Sequence, residues 1–264
     1  MQKKRNPKTG LINLLIILCA AAMIISGVLF ALPLIEYRAG DTLYLELSRS
    51  AVTTPPPVSA AAIAPEQSAA PTPLPMLKLD YEALHAENNE FCAWIYSSGT
   101  VINYPVVQGG NNSYYLNHMF NKQRNSMGTL FVDAENAPVF GDQNTIIYGH
   151  HMKNGSMFAS LVNYKEQTYY NVHPELLLFT PSAAYKLELF AAYITDGVVT
   201  NDVYKKSFDT EAQFLSFIEY ARAASDFKSE VEVAANDRIV TLSTCTYEYD
   251  DARYVVLGKL APIE

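Results

Sequence analysis

Residues Leu11 to Ile35 carry no charged side chain, and Asn13 and Ser26 are their only clearly polar members. A helix rising about 1.5 Å per residue over that length crosses a hydrocarbon core of roughly 30 Å with some tilt. Lys3, Lys4, Arg5 and Lys8 precede the run, whereas Arg38 and Arg49 beyond it are interspersed with Glu36, Asp41 and Glu46. The preference for positive charge on the cytoplasmic side keeps the N-terminus inside and sends everything after Ile35 out. A cleaved signal peptide would have a shorter apolar region ending in small residues, and Ala20-Ala-Ala22 lies too deep in the run for that. Cys19 also lacks the small residue before it that a lipoprotein signal wants. The expectation is a basic cytoplasmic tail over 1–10 and an uncleaved transmembrane signal anchor over 11–35.

From Ser50 to Met76 the composition changes to Ala, Pro, Thr, Ser and Val, with half of the chain's 14 prolines and no lysine or arginine. Such a stretch cannot bury a core and reads as a semi-extended spacer of polyproline character. Residues 36–76 are therefore expected to be an extracytoplasmic stalk, and 77–264 the folded domain. The net charge of -8, with Lys3, Lys4, Arg5 and Lys8 leaving the remainder more acidic still, argues against a nucleic-acid surface. Of the three cysteines, Cys92 and Cys245 alone lie outside the apolar run and could pair. Cys92 sits in Asn89-Glu-Phe-Cys-Ala-Trp-Ile95, where Phe91, Trp94 and Ile95 predict a helix packed on a core and a buried, inert thiol.

Two amphipathic helices have conventional start signals. Asp80 caps one whose Tyr81, Leu84 and Phe91 fall near one face, and Thr210-Glu-Ala-Gln213 is a capping box before Phe214, Phe217, Ile218 and Ala221. Ser156 to Leu161 reads as a further short helix. Strands are predicted at Val101–Val107, Gly128–Val132, Asn144–Tyr148, Glu175–Thr180, Ala184–Thr195, Arg238–Thr244 and Tyr254–Ala261. Many short strands with few peripheral helices point to a mostly β chain forming a closed or nearly closed barrel.

The last two strands carry the chemistry. Thr241-Leu-Ser-Thr-Cys245 ends one, Asp250-Asp-Ala-Arg253 opens the next, and a polar turn joins them. An antiparallel pair joined that way brings thiol and guanidinium to one edge. A cysteine needs a lowered pKa or a nearby base to act as a nucleophile, and a fixed cation can stabilise a thiolate or an oxyanion. Without context a lone cysteine is more often a small core residue, and Arg253 could simply pair with Asp250 or Asp251. Upstream, Asn144-Thr-Ile-Ile-Tyr-Gly-His150 places an imidazole at a strand end, where a general acid or base can reach a substrate.

Gly-His, Thr-Leu-Ser-Thr-Cys and a following Arg, in this order, resemble the sortases, the cysteine transpeptidases of Gram-positive cell surfaces. Tyr104-Pro-Val-Val-Gln, Asn112 to Leu116, Gly128-Thr-Leu-Phe-Val-Asp133 and Tyr148-Gly-His-His-Met152 narrow the likeness to class B, over about Leu77 to Leu260. The resemblance implies a barrel of about eight strands with N-terminal helices and a long helix between the sixth and seventh strands, which Thr210 to Arg222 fits.

The resemblance further implies that Cys245 attacks a threonine carbonyl in a sorting signal of Asn-Pro-X-Thr type, that His150 moves the protons, and that Arg253 holds the oxyanion. It makes His151 a neighbour rather than the catalytic ring, and leaves His85, His118 and His173 as surface or core residues. Asn112, Leu116, Thr200, Tyr204 and Ser243 match positions that contact the signal. No cofactor and no metal are expected. The implied partners are secreted proteins with a C-terminal signal, a cell-wall amine and the membrane. Asn6-Pro-Lys-Thr-Gly10 has the look of such a signal in reversed context, and with a cytoplasmic N-terminus it would not meet the site. The rival readings are a pilus-polymerising sortase, an L,D-transpeptidase or cysteine peptidase acting on peptidoglycan, and a non-enzymatic surface domain.

Overall fold

The computed structural model of the chain describes residues 7–50, 52–53, 77–198, 201–245 and 251–263. Helix α1 (Pro7–Ser50) is one 44-residue element. Its apolar part is bare, with Leu15, Ile16, Ile24 and Phe30 each more than half exposed, and its length and composition suffice to cross a membrane.

The same helix runs on past Ile35 and docks against the domain. Tyr44 and Leu47 are buried in the main core, and the Tyr44 ring meets Tyr104 edge-on with centroids 5.4 Å apart. The Tyr44 hydroxyl donates to the Gly128 carbonyl and lies 3.0 Å from Thr129 Oγ1. Asn125 Nδ2 and Ser126 Oγ donate to the carbonyl and carboxylate of Glu36, at 2.9 and 2.8 Å. Gly40 packs so closely that a Cβ there would lie 2.7 Å from Met127 Sδ. Residues 36–50, expected as the start of a stalk, are thus helix packed on the domain. Gly40, Tyr44 and Leu47 follow one helical face, a periodicity that the scattered charges of this stretch conceal. The proline-rich residues 54–76 lie outside the described residues.

Eight strands close into a barrel: β1 (Phe91–Tyr96), β2 (Asn103–Val107), β3 (Leu130–Val132), β4 (Asn144–Tyr148), β5 (Glu175–Phe179), β6 (Ala184–Asp196), β7 (Ile239–Cys245) and β8 (Ala252–Pro262). Their order is β8-β6-β5-β1-β2-β3-β4-β7, closed by the β7–β8 ladder. β2 with β3 and β4 with β7 run parallel, and all other neighbours are antiparallel. The expected closed barrel is present, and seven of its strands fall within two residues of the expected ends.

β1 is a correction. Asn89 to Ile95 was expected as helix, but helix α2 (Tyr81–Glu87), capped by Asp80 through Ala83 N–H at 3.0 Å, ends first, and Phe91 begins a strand. Phe91, Ala93, Trp94 and Ile95 are all buried, so the strand shows no alternation and its large side chains mimic a helical spacing. Ser156 to Leu161 is also corrected: the helical turns are a 3-10 helix over Ala159–Lys165, followed by α3 (Gln167–Val172).

Alternation along the strands divides two cores. Val240, Leu242 and Val256 belong to the main cluster, whereas Ile146, Ile239, Val255 and Leu257 pack with Phe214, Phe217 and Ile218 of helix α4 (Glu211–Ala224). α4 lies between β6 and β7 as expected, with Thr210 Oγ1 accepting from Gln213 N–H. It packs chiefly on β6, whose Phe190, Ala191 and Tyr193 join the same cluster.

Candidate functional site

Parallel pairing brings two chain exits to one edge. β4 and β7 run side by side with Tyr148 opposite Ser243, and Gly149 N–H continues the ladder to Ser243 O at 3.0 Å. His150 therefore leaves β4 where Cys245 ends β7. Across the other ladder Cys245 is the register partner of Arg253. The alternation of strand side chains puts Ser243, Cys245 and Arg253 on the face that carries Thr241, Val255 and the α4 core.

The edge opens into a cleft lined by Asn112, Leu116, Phe131, Tyr148, Gly149, His150, Gly197, Tyr204, Cys245 and Arg253. Cys245, His150 and Arg253 are all half-buried. His150 Nε2 lies 2.6 Å from the carbonyl oxygen of Leu116; a carbonyl only accepts, so this nitrogen carries a proton. His151 Nδ1 is 3.1 Å from the Cys245 carbonyl and by the same argument donates to it. Adjacent histidines thus take separate places, one in the cleft and one against the backbone of the cysteine.

Gly149 must lack a side chain, because a Cβ would lie 2.4 Å from Leu130 Cδ2 and 2.5 Å from Phe158 Cδ2. Gly197 is the floor under Arg253, with its hypothetical Cβ 3.3 Å from the guanidinium carbon. Arg253 Nη1 donates to Ala252 O at 3.1 Å, and among the described residues it pairs with no carboxylate. Burial, then the Asp133 carboxylate, pushes the Tyr148 phenol well above its usual range. Burial also raises Tyr204 although Ser243 and Arg253 oppose the shift. Both phenols are neutral hydrogen-bonding groups in this wall.

Six of the residues expected at the site line the cleft: Cys245, His150, Arg253, Asn112, Leu116 and Tyr204. Ser243 is buried beneath it, its Oγ 3.3 Å from the Tyr204 hydroxyl. Thr200 lies outside the described residues. Phe131, Tyr148, Gly149 and Gly197 were not anticipated in a role, although Tyr148 and Gly149 stand immediately before His150. Cys92 is far from an active thiol: burial pushes it up to about 12, and its Sγ donates to Val106 O at 3.4 Å. One thiol, one imidazole and one guanidinium, with no carboxylate among the lining residues, form a set suited to acyl transfer.

The family model described as the sortase domain matches residues 97–261. Sortase B of Listeria monocytogenes is 37% identical over 177 residues, 66% of this chain and 70% of that protein. Sortase B of Staphylococcus aureus is 35% identical over 186 residues, 69% of this chain and 75% of that one. The structure of Bacillus anthracis sortase B in complex with AAEK1 superposes with a TM-score of 0.72 at 31% identity, covering 87% of this chain and 100% of that chain. A Staphylococcus aureus sortase B–substrate complex gives 0.65 at 33% identity over 70% and 85% of the two chains. A sortase B complexed with triglycine matches with the same TM-score and identity, over 70% and 86%.

Proposed function

This chain belongs to the sortase family as a class B cysteine transpeptidase, and we propose that it cleaves an Asn-Pro-X-Thr type signal in secreted proteins and joins the threonine to a cell-wall amine. The observation that carries the reading is the meeting of Cys245 and Arg253 as register partners, at the strand edge where His150 enters the same cleft.

The Cys245 thiolate adds to the threonine carbonyl carbon, and the oxyanion that forms faces the Arg253 guanidinium, an always-charged planar donor. Collapse breaks the C–N bond while His150 gives its proton to the leaving amine, which leaves a thioester on Cys245. An incoming amine attacks that thioester, His150 takes its proton, and the thiolate departs as the new amide forms. Asn112, Leu116, Thr200 and Tyr204 hold the signal, and Ser243 supports Tyr204 from beneath. The triglycine complex of a related sortase B favours a glycine-type amine as acceptor. Residues 11–35 anchor the protein in the membrane with its N-terminus inside, and the domain works outside.

The test incubates a protein beginning at Glu36 with a peptide library and a panel of amines, and reads products by mass. Cleavage after threonine with transfer to an amine supports the proposal. Products lacking the library peptide's threonine carbonyl, or formed equally by a Cys245→Ala variant, refute it.

A further inference from the structure

Asp133 sits just past the end of β3, 2% exposed, behind the cleft wall and outside its lining. Every lone-pair direction of its carboxylate is addressed. Oδ2 accepts from Asn112 Nδ2 at 3.0 Å and from the Tyr148 hydroxyl at 3.0 Å, while Oδ1 accepts from Glu135 N–H at 2.9 Å and lies 3.4 Å from Lys206 Nζ. Burial of a charge so supplied with donors and a cation is tolerable, whereas a bare one is not. Two of the four donors, Asn112 and Tyr148, are themselves cleft residues.

An ionised carboxylate only accepts, and a backbone N–H only donates. The Ala134 N–H donates to Asn112 Oδ1 at 2.8 Å, so the Asn112 amide is held from both sides and cannot turn over. It retains one N–H and one lone pair for whatever lies in the cleft. The same oxygen of Asp133 takes the Tyr148 proton, which leaves that hydroxyl as an acceptor toward the cleft. The Tyr148 ring in turn faces Tyr204 with centroids 6.3 Å apart.

We propose that Asp133 is a positioning residue of the signal cleft, fixing the Asn112 amide so that an N–H is presented to a backbone carbonyl of the bound peptide. The inference rests on the reading that Asn112 contacts the signal, and the test separates the two. Four full-length variants in detergent are compared with the parent by steady-state kinetics on the library peptide turned over fastest, and by melting curves: Asn112→Ala, Asp133→Asn, Asn112→Asp, and the exchange Asn112→Asp with Asp133→Asn.

Losing one oriented hydrogen bond corresponds to about a tenfold rise in KM with little change in kcat, expected for Asn112→Ala and Asp133→Asn alike. Asn112→Asp, which sets two carboxylates together, is expected to lower the melting temperature and raise KM. The exchange restores one donor against one acceptor and so recovers melting, which keeps the test open should Asp133→Asn alone fail to fold. It leaves residue 112 without an N–H, so KM stays raised. Recovery of KM in the exchange would make Asp133 a structural partner only and overturn the inference. An unchanged KM in Asn112→Ala removes the underlying reading and the inference together. A raised KM there with a normal one in Asp133→Asn removes the inference alone.

Discussion

His150 Nε2 is held 2.6 Å from the carbonyl oxygen of Leu116, a residue of the opposite cleft wall. The bond sets the ring's orientation and keeps a proton on the nitrogen that faces the segment carrying Asn112 and Leu116. A proton held on that carbonyl cannot pass to a substrate until the bond breaks, so transfer in either proposed half-reaction needs that break or the service of the other nitrogen.

His150→Ala should therefore lower kcat/KM by about a thousandfold, within the range general acid–base groups contribute. His151→Ala removes the hydrogen bond to the Cys245 carbonyl, and a loss of about tenfold is expected. Parallel kinetics on the two variants decide the assignment, and a larger loss at His151 would exchange their roles.

Cys245→Ala should abolish cleavage and transfer together while costing no more than about 2 kcal/mol of stability, since one half-buried thiol is a small packing loss. Mass analysis of products and a denaturant titration supply the two readings. Residual transfer in this variant would remove Cys245 from the mechanism.

Arg253→Lys keeps a charge but loses the planar fork, and about a hundredfold fall in kcat is expected, as for loss of an oxyanion donor. Gly197→Ala gives a second check, because its methyl would press on the guanidinium and on the Asp251 carbonyl, each at 3.3 Å, without requiring an unfavourable backbone angle. Reduced kcat with an unchanged melting curve is the expected result. Full activity in both variants would leave Arg253 a surface residue.

The two thiols of the folded domain should differ in reactivity. Burial holds Cys92 at about 12, so it stays a neutral thiol through the pH range of ordinary alkylation. Iodoacetamide at neutral pH should modify Cys245 and spare Cys92, as peptide mapping will show. Because the folded pKa is raised above the unfolded value, the neutral Cys92 thiol binds its proton more tightly in the folded state. Stability is therefore full below about pH 8.5 and falls as pH rises toward 12. Cys92→Ala should flatten that part of the alkaline decline in a urea titration series.

Much of the barrel is legible in the sequence because most strands end in turn residues and keep a readable apolar run, as Asn144–Tyr148 does. Cys245, His150 and Arg253 are legible for a related reason: each stands at a strand end, where chemistry-bearing side chains are unusual as packing. β1 is not, since both its faces are buried and alternation disappears. Asp133 and Gly197 gain their meaning from partners at distant sequence positions, Asn112 and Tyr148 for one and Arg253 for the other. No local pattern encodes that. The docked turn of α1 is hidden differently, by charges that face water on one side while Gly40, Tyr44 and Leu47 face the domain.

That docking changes what a soluble version of the enzyme must contain. A protein beginning at Leu77 lacks Tyr44 and Leu47, both in the main core, and lacks the strand pairing of Val52 with Leu79. Burying such side chains contributes about 1.5–3 kcal/mol each, so it should be roughly 3–6 kcal/mol less stable than one beginning at Glu36. The loss reaches the site through a short path. Tyr44 holds Gly128 and Thr129, Thr129 N–H donates to Tyr115 O at 3.0 Å, and the next carbonyl, that of Leu116, holds His150. Turnover in the shorter protein should therefore fall even at temperatures where it remains folded, with kcat more affected than KM. Tyr44→Phe in the longer protein isolates the hydroxyl and should reproduce part of the loss. Equal melting temperatures and equal kcat for the two lengths would show that α1 past Ile35 supplies reach alone.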